Sequence, residues 1–262
     1  MTLRRIVHIA SFFIAAGFAG AAFLTPARAE ASRVSGTEGE RADTSISFSY
    51  GFKGGVSFAQ HTGIEERNSE YTVKSHWRTG FIAGAFLYVP VTPRFGIQQE
   101  VLYAQKGSRQ EIGVEILDIP TVLDVTYEMD YIEIPVFMKF ALVQREKFAI
   151  HSVAGTALSL MVRGHYALAG VIDDGSQSVP LSADADMSEV DMFDYSFVYG
   201  FDAEAGVGNL RASLEYRFVI GWNTLSMPTY AYVPFGDESI LIDNDPVPLK
   251  NQAHYIVIGI AF

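Results

Sequence analysis

Residues 130–140, Asp-Tyr-Ile-Glu-Ile-Pro-Val-Phe-Met-Lys-Phe, constrain the fold more than any other stretch of the chain. Read with a period of two, Ile132, Ile134, Val136, Met138 and Phe140 share one face, and Tyr131, Glu133, Pro135, Phe137 and Lys139 share the other. That is a strand with one wholly apolar face and one face carrying opposite charges. A soluble sandwich would put the charges in water and the apolar face in a core. A small transmembrane barrel does the reverse, with the apolar face on lipid and the charges inside. The recurrence of the pattern favours the barrel.

Seven further segments alternate in the same way. Residues 47–60 set Phe48, Tyr50, Phe52, Val56 and Phe58 against Ser49, Gly51, Lys53, Gly55 and Ser57. Residues 76–89 set Trp77, Phe81, Leu87 and Val89 against Arg78, Gly80, Gly84 and Tyr88. Residues 95–107 place Gln98, Glu100, Ala104 and Lys106 inside, with Gln99 interrupting the outer face. Residues 148–163 place His151, Gly155, Ser159 and Arg163 inside. In residues 195–206, Tyr195, Phe197, Tyr199 and Phe201 face out while Asp202 and Glu204 face in. Residues 210–222 put Leu214, Tyr216, Phe218, Ile220 and Trp222 outside and Arg211, Ser213, Glu215 and Arg217 inside. Residues 252–262 put Ile256, Ile258, Ile260 and Phe262 outside.

The connections alternate in length. Those near Pro93, Arg145 and Gly208 are short, and those across residues 61–75, 108–126, 164–191 and 223–249 are long. The rhythm predicts an all-β fold: an eight-stranded antiparallel up-and-down transmembrane barrel with short periplasmic turns and long external loops. Residues 108–126 carry alternating pieces of their own (Ile112, Val114, Ile116) that would extend a hairpin beyond the membrane. A soluble eight-stranded barrel such as a lipocalin would invert the polarity, with apolar residues inside.

Residues 1–29 read as a secretory signal. Arg4 and Arg5 precede an apolar stretch from Ile6 to Leu24, and Ala27-Arg28-Ala29 gives a small-x-small cleavage site. The alternative is an uncleaved anchor. Residues 30–45 are polar and read as a flexible periplasmic leader, leaving 46–262 as the barrel domain. Beyond residue 30 no apolar run approaches the roughly 20 residues a membrane helix needs, so a membrane protein built from this chain has to be a barrel. The net charge of −11 argues against nucleic acid as a partner. The absence of cysteine removes disulfides and thiolate chemistry.

Gly51-Phe52-Lys53-Gly54-Gly55-Val56, residues 99–107 (Gln-Glu-Val-Leu-Tyr-Ala-Gln-Lys-Gly), residues 130–139 and the terminal aromatic Phe262 together resemble the PorT-like family of outer-membrane β-barrel proteins. The resemblance spans nearly all of residues 46–262, and Gln99 stands where the family pattern often has Pro. It implies an integral outer-membrane location after export, contact with outer-membrane lipid and with the barrel assembly machinery, and no shared enzymatic activity. Some members of the family are tied to protein secretion. By the same resemblance Phe262 serves as the assembly signal.

The inward charges are of both signs: Lys53, Arg78, Lys106, Lys139 and Arg217 against Glu100, Glu133, Asp202, Glu204 and Glu215. Their near balance predicts an ion-pair lattice that fills the lumen, in preference to an ion path or a paired-carboxylate catalyst. Counting inward from Phe95 and Leu142 puts Glu100 a diagonal step from Lys139, and Lys106 near Glu133. His254 and Ser226 near the external rim are the candidates for a lipid-modifying Ser–His pair, but no motif or orienting acid accompanies them. Asp173-Asp174-Gly175 and Asp243-Asn244-Asp245 supply oxygen ligands without calcium-loop spacing. No cofactor, metal or catalytic residue is therefore expected. Trp77, Tyr195 and Trp222 are expected in the external aromatic belt. The leading reading is a non-enzymatic scaffold with a closed lumen, acting through its external loops. The competing readings are a secretion or envelope-assembly component, a small porin and a lipid-modifying enzyme.

Overall fold

The computed structural model describes residues 48–63, 71–116, 118–173, 175–187, 193–235 and 238–262. The expected signal and leader, residues 1–45, lie outside the described residues. Among the described residues ten strands, and no helix, form one antiparallel sheet. They are β1 (Ser49–Thr62), β2 (Tyr71–Thr92), β3 (Phe95–Ile116), β4 (Ile119–Gln144), β5 (Phe148–Asp173), β6 (Ser178–Asp186), β7 (Phe193–Val207), β8 (Leu210–Gly221), β9 (Leu225–Phe235) and β10 (Glu238–Ala261).

Eight of these close into a ring: β1-β2-β3-β4-β5-β7-β8-β10, with β10 returning to β1 through pairs such as Gly51↔Ala261 and Gln60↔Gln252. The other two stack above it. The long strand β5 pairs with β7 over its first half and with β6 over its second, from His165↔Asp186 to Asp173↔Ser178. Likewise β10 pairs with β8 from Gln252 onward and with β9 before that. Residues 164–191 and 223–249, read above as loops, therefore carry strands. The seam between β6 and β9 is held by the single pairing Ser182↔Tyr232.

A membrane crossing needs about 9–11 residues of strand, and β4 and β5 each have 26. Half of each strand thus stands beyond the bilayer, and the chemistry of the two faces changes where it leaves. In the lower half of β4 the lumenal side chains include Glu133 and Lys139, while Val136, Met138 and Phe140 are exposed outside. In the upper half the alternation keeps its phase but swaps character: Val125, Tyr127 and Met129 are buried inside, and Thr126 and Glu128 lie outside. Tyr166, Leu168, Leu181 and Leu225 complete that upper core. A barrel of soluble polarity is thus continuous with one of membrane polarity. The upper half holds its shape by burying apolar side chains from water, whereas the lower half carries large apolar side chains exposed on its outer face.

Two irregularities mark the junction. The β2–β3 register shifts between Trp77 and Ile82. Beside it Gly107 has φ of +133°, a conformation open to glycine, and a Cβ there would strike the Tyr127 carbonyl oxygen. The β4–β5 register shifts between Asp130 and Tyr131. That shift turns Arg163 to the exposed side and buries Met161, so Arg163 is not lumenal as its parity predicted. Within the ring, the β3–β4 pairing lapses between Gln99↔Val136 and Leu102↔Glu133, opposite Pro135, which has no N–H to give the ladder.

Trp77, Tyr195 and Trp222 are exposed on the outer face at the upper edge of the apolar belt. Trp222 packs on Phe197 at 4.7 Å between ring centroids. Phe262 lies at the lower edge, stacked on Tyr50, with its N–H bonded to the Tyr50 carbonyl (2.8 Å).

Candidate functional site

Parity along β1, β3, β4, β7 and β8 delivers ten charged groups to the lumen, and they settle at three levels. Nearest the short turns, Lys139 of β4 reaches across to β7. Its Nζ lies 2.5 Å from Asp202 and 2.6 Å from Glu204. His151 of β5 stands 3.4 Å from Asp202, and the Tyr88 ring faces the ammonium at 5.3 Å.

One level up, Lys53 of β1, Glu100 of β3 and the Glu215/Arg217 pair of β8 form a closed foursome. Arg217 forks onto Glu100, with Nη1 and Nη2 donating at 2.6 and 2.8 Å, while its Nε donates to Glu215 at 2.7 Å. Lys53 bridges the same two carboxylates, 2.8 Å from Glu100 and in direct contact with Glu215. Gln98 donates to Glu100 at 2.5 Å. Phe137 lies under the Arg217 guanidinium at 4.6 Å and Phe86 under Lys53 at 4.7 Å. The four charged side chains are at most 1% exposed.

At the third level Lys106 lies 2.6 Å from Glu133 and 3.4 Å from Asp194. Tyr255 and Ser159 donate to Glu133 at 3.0 and 3.2 Å. Asn251 donates to Asp194 at 2.9 Å and to the Tyr131 hydroxyl at 3.2 Å. Between the second and third levels, small and apolar side chains such as Ala104, Ala157, Val198, Val219 and Val257 pack together.

Charges this deeply enclosed persist only where each has an opposite charge and hydrogen bonds. Every lumenal charge named above meets that condition. Two sequence expectations are corrected. Glu100 does not neighbour Lys139, because the β3–β4 register runs Phe95↔Phe140 and places Lys139 opposite Gly96. Each instead reaches across the lumen. Arg78 belongs to the junction and not to these three levels: its guanidinium lies 3.1 Å from the partly exposed Glu128 and donates to the Lys106 carbonyl at 2.9 Å. Sequence reasoning missed Asp194 and Asn251 as partners. The alternation that placed Asp202 inside would have placed Asp194 there too, had the strand been extended by one residue.

As chemistry, the lattice holds its charges in place. Asp202, Glu204 and His151 have ligand atoms within 4.8 Å of one another, close enough for a metal ion. The Lys139 ammonium already sits against both carboxylates and supplies the positive charge such an ion would bring. Asp202 and Glu204 share that ammonium. At the outer rim, His254 Nδ1 is 2.7 Å from the Tyr216 hydroxyl and packs between Trp77 (5.0 Å) and Phe218 (4.6 Å), with no carboxylate among the described residues bonded to it. The side chain of Ser226 lies outside the described residues, as do Asp174 and the side chains of residues 243–245. Asp173 accepts a bond from the Gly175 N–H at 2.9 Å, a local turn contact.

The family model for the outer membrane protein beta-barrel domain matches residues 34–226. No curated protein matches the chain. Among solved structures, the outer membrane protease OmpT from Escherichia coli is 8% identical, covering 82% of this chain and 96% of that one, with a TM-score of 0.43. The outer membrane protein OprG from Pseudomonas aeruginosa is 7% identical, covering 83% and 97%, with a TM-score of 0.43. The attachment invasion locus protein Ail of Yersinia pestis is 13% identical, covering 82% and 98%, with a TM-score of 0.33.

Proposed function

Because the chain belongs to the outer membrane protein beta-barrel domain family, we propose that it is a closed, non-enzymatic barrel that serves the outer membrane as a structural or binding scaffold. The lower ring anchors it in lipid. The short turns face the periplasm, and the upper half stands outside the cell as the presenting surface. Export proceeds through the N-terminal signal, residues 1–29, which is then cleaved off, and the narrower PorT-like kinship rests on the strand pieces around Glu100 and Glu133.

One observation carries this reading: three successive levels of ion pairs bridge the lumen between opposite strands, with side chains almost wholly enclosed. A conducting pore would leave such groups wet and spaced apart. The protein reconstituted in planar bilayers should pass no steady current at moderate voltage. Stable channels of porin size would overturn the closed lumen and replace the scaffold with a pore.

A further inference from the structure

At the short-turn end the barrel opens into a cavity of about 480 Å³ that reaches the lower two ion-pair levels. That volume falls within the roughly 300–1,000 Å³ of ordinary ligand pockets. Each of the three short connections sends a cation to its wall: Arg94 from the β2–β3 turn, Arg145 and Lys147 from the β4–β5 turn, and Arg211 from just after the β7–β8 turn. Arg211 lies 3.5 Å from Glu204. Arg94, Arg145 and Lys147 form no ion pair among the described residues, and Glu146 is the single acid the turns contribute to the same wall.

This concentration of positive charge is local. The chain as a whole is at −11, and acids such as Glu111, Glu115, Asp124 and Asp184 crowd the opposite end. The remaining wall is partly aromatic, with Phe48, Phe86, Tyr88 and Phe148. The floor is made by Lys139 and Glu204 of the lowest ion-pair level and by Lys53 and Glu215 of the next, charges already paired within the lattice.

We propose that this vestibule is a docking site for a short acidic peptide segment of another protein. Carboxylates would pair with the turn guanidiniums and apolar side chains would lie on the aromatic wall. Charge complementarity argues for this occupant, since unpaired cations converge on a blind, partly apolar cavity in an otherwise acidic molecule. A free metal cation would be repelled there. Anionic lipid headgroups would be met by cations on the outer circumference, whereas these side chains line the cavity. The inference rests on the closed lumen, because a blind cavity retains a ligand that a pore would pass. Bilayer current reads that premise separately from peptide binding.

The test uses the full-length barrel in nanodiscs of zwitterionic lipid, with fluorescein-labelled hexaglutamate as probe and hexaglutamine as control, read by anisotropy. Hexaglutamate should bind at least tenfold more tightly than hexaglutamine. The triple variant Arg94→Glu, Arg145→Glu, Lys147→Glu should lose at least tenfold in affinity while keeping its heat-modifiable mobility on gels. The variant Lys74→Glu, Arg163→Glu, Lys250→Glu, which makes the same charge change on exposed side chains away from the cavity, should bind like the wild type. Equal losses in both triple variants would reduce the effect to net charge and overturn the site. Full displacement of the peptide by inorganic phosphate at equal charge concentration would also overturn it, as would binding that appears only with anionic lipid in the disc.

Discussion

Replacing Arg217 with Met should cost the barrel about 3–5 kcal/mol, among the largest losses expected from a single lumenal change. The side chain volume is nearly kept, so packing on Phe137 survives while the charge is lost. Glu100 and Glu215 would then share Lys53 alone, two carboxylates against one ammonium at sites at most 1% exposed. The cost comes from the charge left uncompensated, not from the worth of the original bond. Arg217→Met combined with Glu100→Gln should therefore recover part of the loss, because it returns the cluster to one cation and one anion. Urea unfolding in lipid vesicles measures all three proteins. The pair Arg109–Asp124 on the outer surface gives the contrast. Its side chains are 59% and 46% exposed, and breaking it should cost no more than about 1 kcal/mol. An Arg217→Met barrel as stable as the wild type would mean that water reaches the cluster and screens it.

The second large effect is asymmetric. Lys106 neutralises two acids, Glu133 and Asp194, whereas Glu133 also accepts bonds from the neutral Tyr255 and Ser159. Lys106→Ala strands two buried carboxylates and should cost about 3–5 kcal/mol. Glu133→Ala leaves Lys106 with Asp194 still 3.4 Å away, so the loss should be smaller, about 2 kcal/mol. The double variant should be more stable than the sum of the two losses predicts, by roughly 1–3 kcal/mol of coupling. Recovery should be incomplete because Asp194 then keeps only its Asn251 bond. Additive losses would dissolve the pairing.

The membrane half of this molecule is legible in its sequence because lipid outside and charge inside leave a period-two signal that few other folds produce. Strand parity put Lys53, Glu100, Glu133, Lys139, Asp202, Glu215 and Arg217 into the lumen, where the structure has them buried. Which charge meets which was less legible. Adjacent-strand counting assumed Phe95 opposite Leu142, two residues away from the observed Phe140. Long side chains then cross the lumen to strands that no neighbour count considers, as Arg217 does to Glu100.

The upper half hid for a different reason. Strand β6 is solvated on one face, and β6 and β9 are interrupted by Pro180, Pro228 and Pro234. Acids such as Asp184 and Asp186 alternate with small apolar residues there, so the segments read as polar loops. The alternation of Val125, Tyr127 and Met129 against Asp124, Thr126 and Glu128 is present in the sequence as well. Its inverted meaning becomes clear only once the height of those residues above the apolar belt is known.

A membrane barrel requires the outer face of the lower ring to meet lipid. The chain has two tryptophans, Trp77 and Trp222, and both are exposed on that face at one edge of the belt. Tryptophan fluorescence of the protein in vesicles, compared across lipids brominated near the headgroup and near the chain terminus, reads their depth directly. Strong quenching by the shallow bromines and weak quenching by the deep ones is the predicted result. Quenching by aqueous iodide with none from either lipid would place the belt in water and contradict the membrane barrel itself.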